Sequence, residues 1–306
     1  MNEITLQFGP DAGLVGTLAT PPGNAGQPLY AVLLFNAGIV PRIGPNRLNV
    51  RMARKLAVNG IPTLRFDLSG RGDSAPARGM ESFEQQAVAD LRAAMDLMTQ
   101  RTGAQRFLLM GICSGAENAY HTALADERVI AISLMDSYHF PTLRTHFNRY
   151  RLRAQHRGGL VKASLGWLRH RIHSSLAQNR PERVPAPATS FGSIRPSAQE
   201  FAAKLQLLLK RGVAIDLLFS GSFVETYNYA HQFRDGFERY GIVPAIHVEY
   251  RADFDHTLST ASMQKEMVAR TCAWIGEVIK KKQSGSAGSR TATADLAMNV
   301  MGAIQH

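Results

Sequence analysis

The chain has 306 residues, 45% apolar and 19% charged, with two cysteines and a formal net charge of +11. A chain of this length buries about three quarters of its unfolded surface, and its composition excludes a disordered or collagen-like polypeptide. Cys113 and Cys272 lie far apart, which excludes a disulfide framework and a CxxC metal site and favours a reducing compartment. Met1 to Pro10 has no basic segment followed by an apolar run, so no signal peptide is expected. No stretch approaches the roughly 18 consecutive apolar residues of a spanning helix. The expectation is a cytoplasmic protein with no membrane span.

Taken in chain order, Tyr30 to Phe35 is a short β-type run ending in Asn36-Ala37-Gly38. Asn46 to Val58 places Leu48, Met52 and Leu56 at helical spacing, with Gly60 as the stop. Pro62 to Leu68 predicts a strand. Phe83 to Met98 predicts a helix, with Phe83, Ala87, Val88, Leu91, Met95 and Met98 on one face. Phe107 to Ile112 (strand), Gly115 to Ala125 (helix) and Val129 to Met135 (strand) continue the alternation. It breaks near Phe140 and resumes with a helix over Phe201 to Leu209 and a strand over Ile215 to Phe219. Thr226 to Tyr240 predicts a helix, Ala245 to Tyr250 the last strand and Ser262 to Ile279 a closing helix. Strands alternating with helices predict an α/β fold, a mostly parallel central sheet with helices on both faces. The core is expected over 1–140 and 199–280, with 141–198 as an insertion.

Most of the charge sits in that insertion. Pro141 to Val184 carries ten basic residues (Arg144, Arg149, Arg151, Arg153, Arg157, Lys162, Arg169, Arg171, Arg180 and Arg183) against one acid, Glu182, a local +9 of the chain's +11. No basic stripe interleaved with stacking aromatics accompanies it, so nucleic acid is not the expected partner. The insertion leaves the sheet at its carboxyl edge and is expected to cap a site there as a basic helical lid. An anionic partner such as an acyl carrier protein or coenzyme A fits its charge; a solvated basic face fits equally. After Lys280-Lys281-Lys282 a Ser/Gly-rich run predicts a flexible tail over 281–306, in which Thr291 to Ile304 has a weak helical pattern.

The segment with the most chemistry is Phe107-Leu108-Leu109-Met110-Gly111-Ile112-Cys113-Ser114-Gly115-Ala116. An apolar strand runs into Gly-x-Cys-x-Gly and then a helix, the pattern of a nucleophile elbow with cysteine at its centre. So tight a turn strains its central residue, and glycines two before and two after let the chains approach. Cys113 would project at a helix N-terminus, where the dipole favours a thiolate. A small buried cysteine and a Ser114 nucleophile are the competing readings; Ser114 is off-centre in the elbow, and its N–H is better placed as an oxyanion donor. No metal-ligand spacing and no Gly-rich phosphate loop occurs, so no metal or cofactor is expected.

The order of elbow, insertion, acid and histidine resembles the α/β-hydrolase superfamily. Asn36 to Arg47 followed by Arg65-Phe66-Asp67-Leu68-Ser69-Gly70-Arg71-Gly72-Asp73-Ser74 is similar to its bacterial branch of exosortase-associated and serine-aminopeptidase-like hydrolases. The resemblance covers about 25–140 and 200–280. It implies that Asn36-Ala37-Gly38 replaces the usual His-Gly oxyanion segment, that the N–H groups of Gly38 or a neighbour and of Ser114 form the oxyanion hole, and that Asp67 to Ser74 braces loops. It also implies that His256, just past the last strand, is the catalytic histidine; His247, inside the strand, and His231, inside a helix, read as structural from their positions. For the acid, Glu225 is the first carboxylate after the strand that follows the insertion, with Phe223 where many relatives carry aspartate. Asp136, at the end of the preceding strand, is the alternative.

The expected activity is cleavage of an ester or thioester through an acyl-cysteine. Acyl transfer or carrier-bound chain release is the alternative, and a non-catalytic binding scaffold the second.

Overall fold

The structure is a computed structural model, describing residues 1–23, 28–79, 81–156 and 195–302, with side chains described through 152 and from 195 to 284. Eight strands form one sheet: β1 (Asn2–Phe8), β2 (Leu14–Thr20), β3 (Tyr30–Leu34), β4 (Thr63–Phe66), β5 (Arg106–Ile112), β6 (Val129–Met135), β7 (Ala214–Ser220) and β8 (His247–Arg251), in the order β1-β2-β4-β3-β5-β6-β7-β8. β2 pairs antiparallel with both neighbours, and the other pairs are parallel.

The helices are α1 (Leu48–Val58), α2 (Phe83–Thr102), α3 (Ser114–Ala125), α4 (Leu143–His156), α5 (Ala198–Lys210), α6 (Gln232–Phe237) and α7 (Ala261–Gly302). They cover both faces of the sheet. Ala31 and Leu33 of β3 face a core shared with α2, α3 and α5, while Tyr30, Val32 and Leu34 face one shared with α1 and α7. That is why the run reads as continuously apolar instead of alternating. Two-faced burial leaves one usable edge, the carboxyl ends of the strands, and β5, β6 and the turns after β3, β7 and β8 bring the polar residues of interest there.

Three differences from the sequence reading are physical. The sheet begins two strands earlier, with a β1–β2 hairpin on which only Phe8 of β1 is buried; an edge strand carries a weak apolar pattern. The helix expected over Thr226 to Tyr240 starts only at Gln232, as α6 continued by a 3-10 turn over Glu238–Tyr240, because the Gln232 side chain donates to the carbonyls of Phe140 and Thr226 and accepts from Asn228 N–H, closing a turn ahead of it. The closing helix runs on to Gly302, through the expected flexible tail, in a stretch that contains no proline to stop it. Of the expected lid, α4 is seen, and residues 157–194 lie outside the described residues. Among the described residues no helix is long and apolar enough to cross a membrane.

Candidate active site

β5 delivers Cys113 and α3 leaves from it. Cys113 stands at φ 57°, ψ −126°, backbone angles that side-chain-bearing residues rarely adopt. Both flanking glycines are needed. A Cβ on Gly111 would fall onto the backbone of Gly115, and one on Gly115 would stand 2.5 Å from the carbonyl oxygen of Asn36. The turn therefore presses β5 against its own helix and against the loop after β3. Cys113 occupies the N-cap position of α3 without a side-chain cap hydrogen bond, and its carbonyl accepts from the N–H groups of Ala116 and Glu117 at 2.9 and 3.3 Å.

His256 comes from the loop after β8. Its Nδ1 lies 2.8 Å from Asp136 Oδ2, and its ring also hydrogen-bonds Cys113. With Nδ1 taken by Asp136, the contact to sulfur falls to Nε2. The His256 N–H donates to Ser222 Oγ at 2.8 Å, which ties the loop to the turn after β7. Asp136, fully buried at its side chain, closes β6 at φ 50°. Ser220 at the end of β7 holds it twice: N–H donates to Oδ1 and Oγ–H to Oδ2, both at 2.7 Å. The Asp136 hydrogen bond, then the Cys113 contact, push the His256 pKa up to about 10 against the opposing effect of burial. An imidazolium beside the sulfur is thereby favoured at neutral pH.

The carboxylate at His256 is thus Asp136, and the preference for Glu225 is corrected. Glu225 is half exposed and pairs with Arg149 of α4 at 3.7 Å. Phe223, where an aspartate was looked for, sets its ring edge-on to His256 with centroids 4.9 Å apart. A hydrophobic side chain at the β7 turn leaves the β6 carboxylate as the partner of the histidine.

The expected oxyanion donors, Gly38 and Ser114, are brought together at the elbow. The Gly38 N–H donates to Ser114 Oγ at 2.9 Å, so this donor is occupied by the residue next to Cys113. Ser114 leads α3, and its own N–H has no intrahelical acceptor. Asn36 fixes the loop: Nδ2 donates to Asp67 Oδ1 at 3.2 Å and to Val40 O at 3.0 Å, and Oδ1 accepts from Leu68 N–H at 2.6 Å. Arg42 bridges Asp67 and Asp73. The Asp67–Ser74 turn braces the loop, as expected of it.

Two other histidines sit where their sequence context put them or nearby. His247 lies in β8, bound to Asp216 Oδ1 at 2.6 Å. His231 caps the start of α6 instead of lying within a helix. Sequence reasoning missed Ser220, Ser222 and His139. The serines act through a fold contact with Asp136 and His256 that no local pattern announces. His139 was visible only as a neighbour of Asp136.

A family model described as serine aminopeptidase, S33, matches residues 46–156, a span that contains the elbow. A proline iminopeptidase from Mycobacterium smegmatis is 14% identical over 90% of this chain and 98% of that one, with a TM-score of 0.52. An esterase from Pyrococcus furiosus is 13% identical over 92% and 91%, with a TM-score of 0.52. A thermophilic esterase from Thermogutta terrifontis is 17% identical over 91% and 99%, with a TM-score of 0.50. A search of curated proteins gives no match. The order of the eight strands, the strained elbow after β5 and these likenesses agree: the chain has the α/β-hydrolase fold.

Proposed function

We propose that the protein cleaves an ester or thioester through an acyl-cysteine, with Cys113 as nucleophile, His256 as base and acid, and Asp136 as the residue that orients His256. The observation that carries this reading is His256, bonded on one nitrogen to Asp136 and on the other to the strained Cys113. The raised pKa of His256 supports an imidazolium beside the sulfur, and in this reading Cys113 attacks as the thiolate. The sulfur attacks the substrate carbonyl and the C–S bond forms. The tetrahedral oxyanion is received by Ser114 N–H and by Gly38 N–H, the latter once it turns from Ser114 Oγ to the substrate. The C–O or C–S bond to the leaving group breaks, and His256 Nε2–H protonates the departing alkoxide or thiolate. Neutral His256 then takes a proton from water, hydroxide attacks the acyl-cysteine, and the acid leaves with Cys113 restored.

Acyl transfer differs only in the second nucleophile, since an amine or thiol attacks a thioester readily. The basic insertion supports a donor carried on an acidic acyl carrier protein or on coenzyme A. Steep loss of turnover with added salt is expected for such a donor. Asn36 to Arg47 and Arg65 to Ser74 support placement beside the exosortase-associated hydrolases. Intact-protein mass after incubation with acyl thioesters and p-nitrophenyl esters tests the chemistry. An acyl increment on wild type and none on Cys113→Ala is expected; the same increment on both would remove Cys113 from the mechanism, and none on either would favour a scaffold.

A further inference from the structure

Behind Asp136 stands a second imidazole that the proposed reaction does not use. His139 is buried, its side chain 5% exposed. Its ring packs among Phe219, Phe223 and Tyr227, with centroids 5.7, 4.7 and 6.0 Å away. Nδ1 lies 3.0 Å from Thr226 Oγ1. Nε2 is buried with no hydrogen-bond partner and faces Asp136 Oδ1 at 4.0 Å. Buried polar atoms without partners are rare enough to require a reason.

Burial drops the His139 pKa to about 4, so at neutral pH one ring nitrogen carries a proton and the other a lone pair. Two arrangements are open. A lone pair on Nε2 would point at a carboxylate in a dry site and repel it; a proton there is attracted. Thr226 permits the second. Its hydroxyl can donate to Nδ1 at 3.0 Å, a shorter contact than its other acceptor, Phe223 O at 3.4 Å. The charged and titratable groups facing His139 are Asp136 from β6, His256 from the loop after β8, Arg195 ahead of α5 and Tyr227 after β7.

We infer that His139 is a positioning residue for the acid of the site: a neutral imidazole with its proton on Nε2, aimed at Asp136 Oδ1, the oxygen that His256 does not take. The inference rests on reading Cys113, His256 and Asp136 as one catalytic unit. Asp136 already accepts two hydrogen bonds from Ser220 and one from His256. A further donor dipole behind it draws negative charge away from His256. This tempers the imidazolium and keeps its proton transferable, because a catalytic acid–base group works best with a pKa near the operating pH. An approach of about 1 Å during turnover would turn the 4.0 Å contact into a full hydrogen bond.

The test reads histidine titrations by NMR on the whole protein. In wild type, the ¹⁵N pattern of His139 should show the proton on Nε2; a proton on Nδ1 overturns the inference without any variant. His139→Phe keeps an aromatic ring against Phe219, Phe223 and Tyr227 and removes both nitrogens. It should raise the His256 pKa by about half a unit or more, and His139→Gln, which restores an N–H near the Nε2 position, should bring it back. An unchanged His256 pKa in His139→Phe rejects the coupling, and a lowered one means that a lone pair faced Asp136. The same titrations in Cys113→Ala keep the result separate from the question of the nucleophile, which is answered by the acyl mass increment.

Discussion

Asp136 Oδ2 and His256 Nδ1 lie 2.8 Å apart although 120 residues separate them, and the carboxylate comes from β6, one strand before the position at which sequence order suggested an acid. The contact fixes which His256 nitrogen faces Cys113. Asp136→Asn keeps the shape but lets the side chain present an amide that cannot accept the imidazolium proton in the same way. We expect kcat/KM with a p-nitrophenyl ester to fall about 100-fold, less than for a serine enzyme because a thiolate needs less help from the acid. Glu225→Gln, which touches the Arg149 pair, should stay within about twofold, as surface substitutions do. A larger loss in Glu225→Gln than in Asp136→Asn would restore Glu225 as the acid.

The site was partly legible before the fold was known. Gly111 and Gly115 around Cys113 marked the elbow because steric demand at both positions is local and leaves glycine in the sequence. His256 followed from chain order after the last strand. The acid was not resolved, because its choice depends on which strand end reaches the histidine: Asp136 is held by Ser220, 84 residues away. The helix expected from Thr226 begins only at Gln232 for a like reason, since Gln232 bonds to Phe140 O across 92 residues. The β1 strand was within reach, as Ile4, Leu6 and Phe8 alternate with Thr5 and Gln7, but an edge strand with one buried residue gives a faint signal.

The elbow predicts a contrast among glycines. Gly111→Ala and Gly115→Ala force a methyl into backbone atoms that cannot yield, and should each cost about 3 kcal/mol or more of unfolding free energy. Gly38→Ala meets no atom within 4 Å and carries only the strain of φ 58°, about 1–2 kcal/mol. Urea midpoints of the three variants give the ranking. Equal losses would mean that the elbow is not the tight element described.

Ser114 adjoins the nucleophile, and its hydroxyl accepts the Gly38 N–H at 2.9 Å. If that bond holds the oxyanion donor in reserve, Ser114→Ala frees the N–H and removes nothing the reaction needs. Its kcat/KM should stay within about threefold of wild type, far from the loss of roughly 1,000-fold expected of an essential oxyanion donor. Abolished turnover in Ser114→Ala with preserved activity in Cys113→Ala would transfer the nucleophile role to the serine.

A separate ionic cluster should control stability without touching catalysis. Buried Asp216 of β7 binds Ser133 at 2.7 Å, His247 at 2.6 Å and Arg270 of α7 at 2.7 and 2.9 Å. The Asp216 hydrogen bond raises the His247 pKa. A histidine with a folded-state pKa above its unfolded value of about 6.5 adds stability that is fully present below that pH and is lost as pH rises through the folded value. His247→Ala should therefore lower Tm more at pH 6 than at pH 9, by a modest margin because the ring is half exposed. A loss that grows with pH would reverse the assigned sign.

Two influences on His256 are separable by substitution. Its pKa is pushed up to about 10 by the Asp136 hydrogen bond first and the Cys113 contact second, with burial opposing both. Cys113→Ala removes the second influence and leaves the first. The His256 pKa should then fall below 10 yet remain above the free value of about 6.5, and an NMR titration of the variant reads it directly. If the imidazolium of His256 keeps its proton beside Cys113 in wild type, carbamidomethylation of Cys113 by iodoacetamide should already be fast at pH 6 and stay level through neutral pH. In Asp136→Asn that plateau should shrink, because the imidazolium loses its larger support and the proton returns to sulfur. A wild-type alkylation rate that climbs tenfold per pH unit from 6 to 8, as for an ordinary thiol, would show that His256 does not hold its proton against Cys113, whatever the distance between His256 and Asp136.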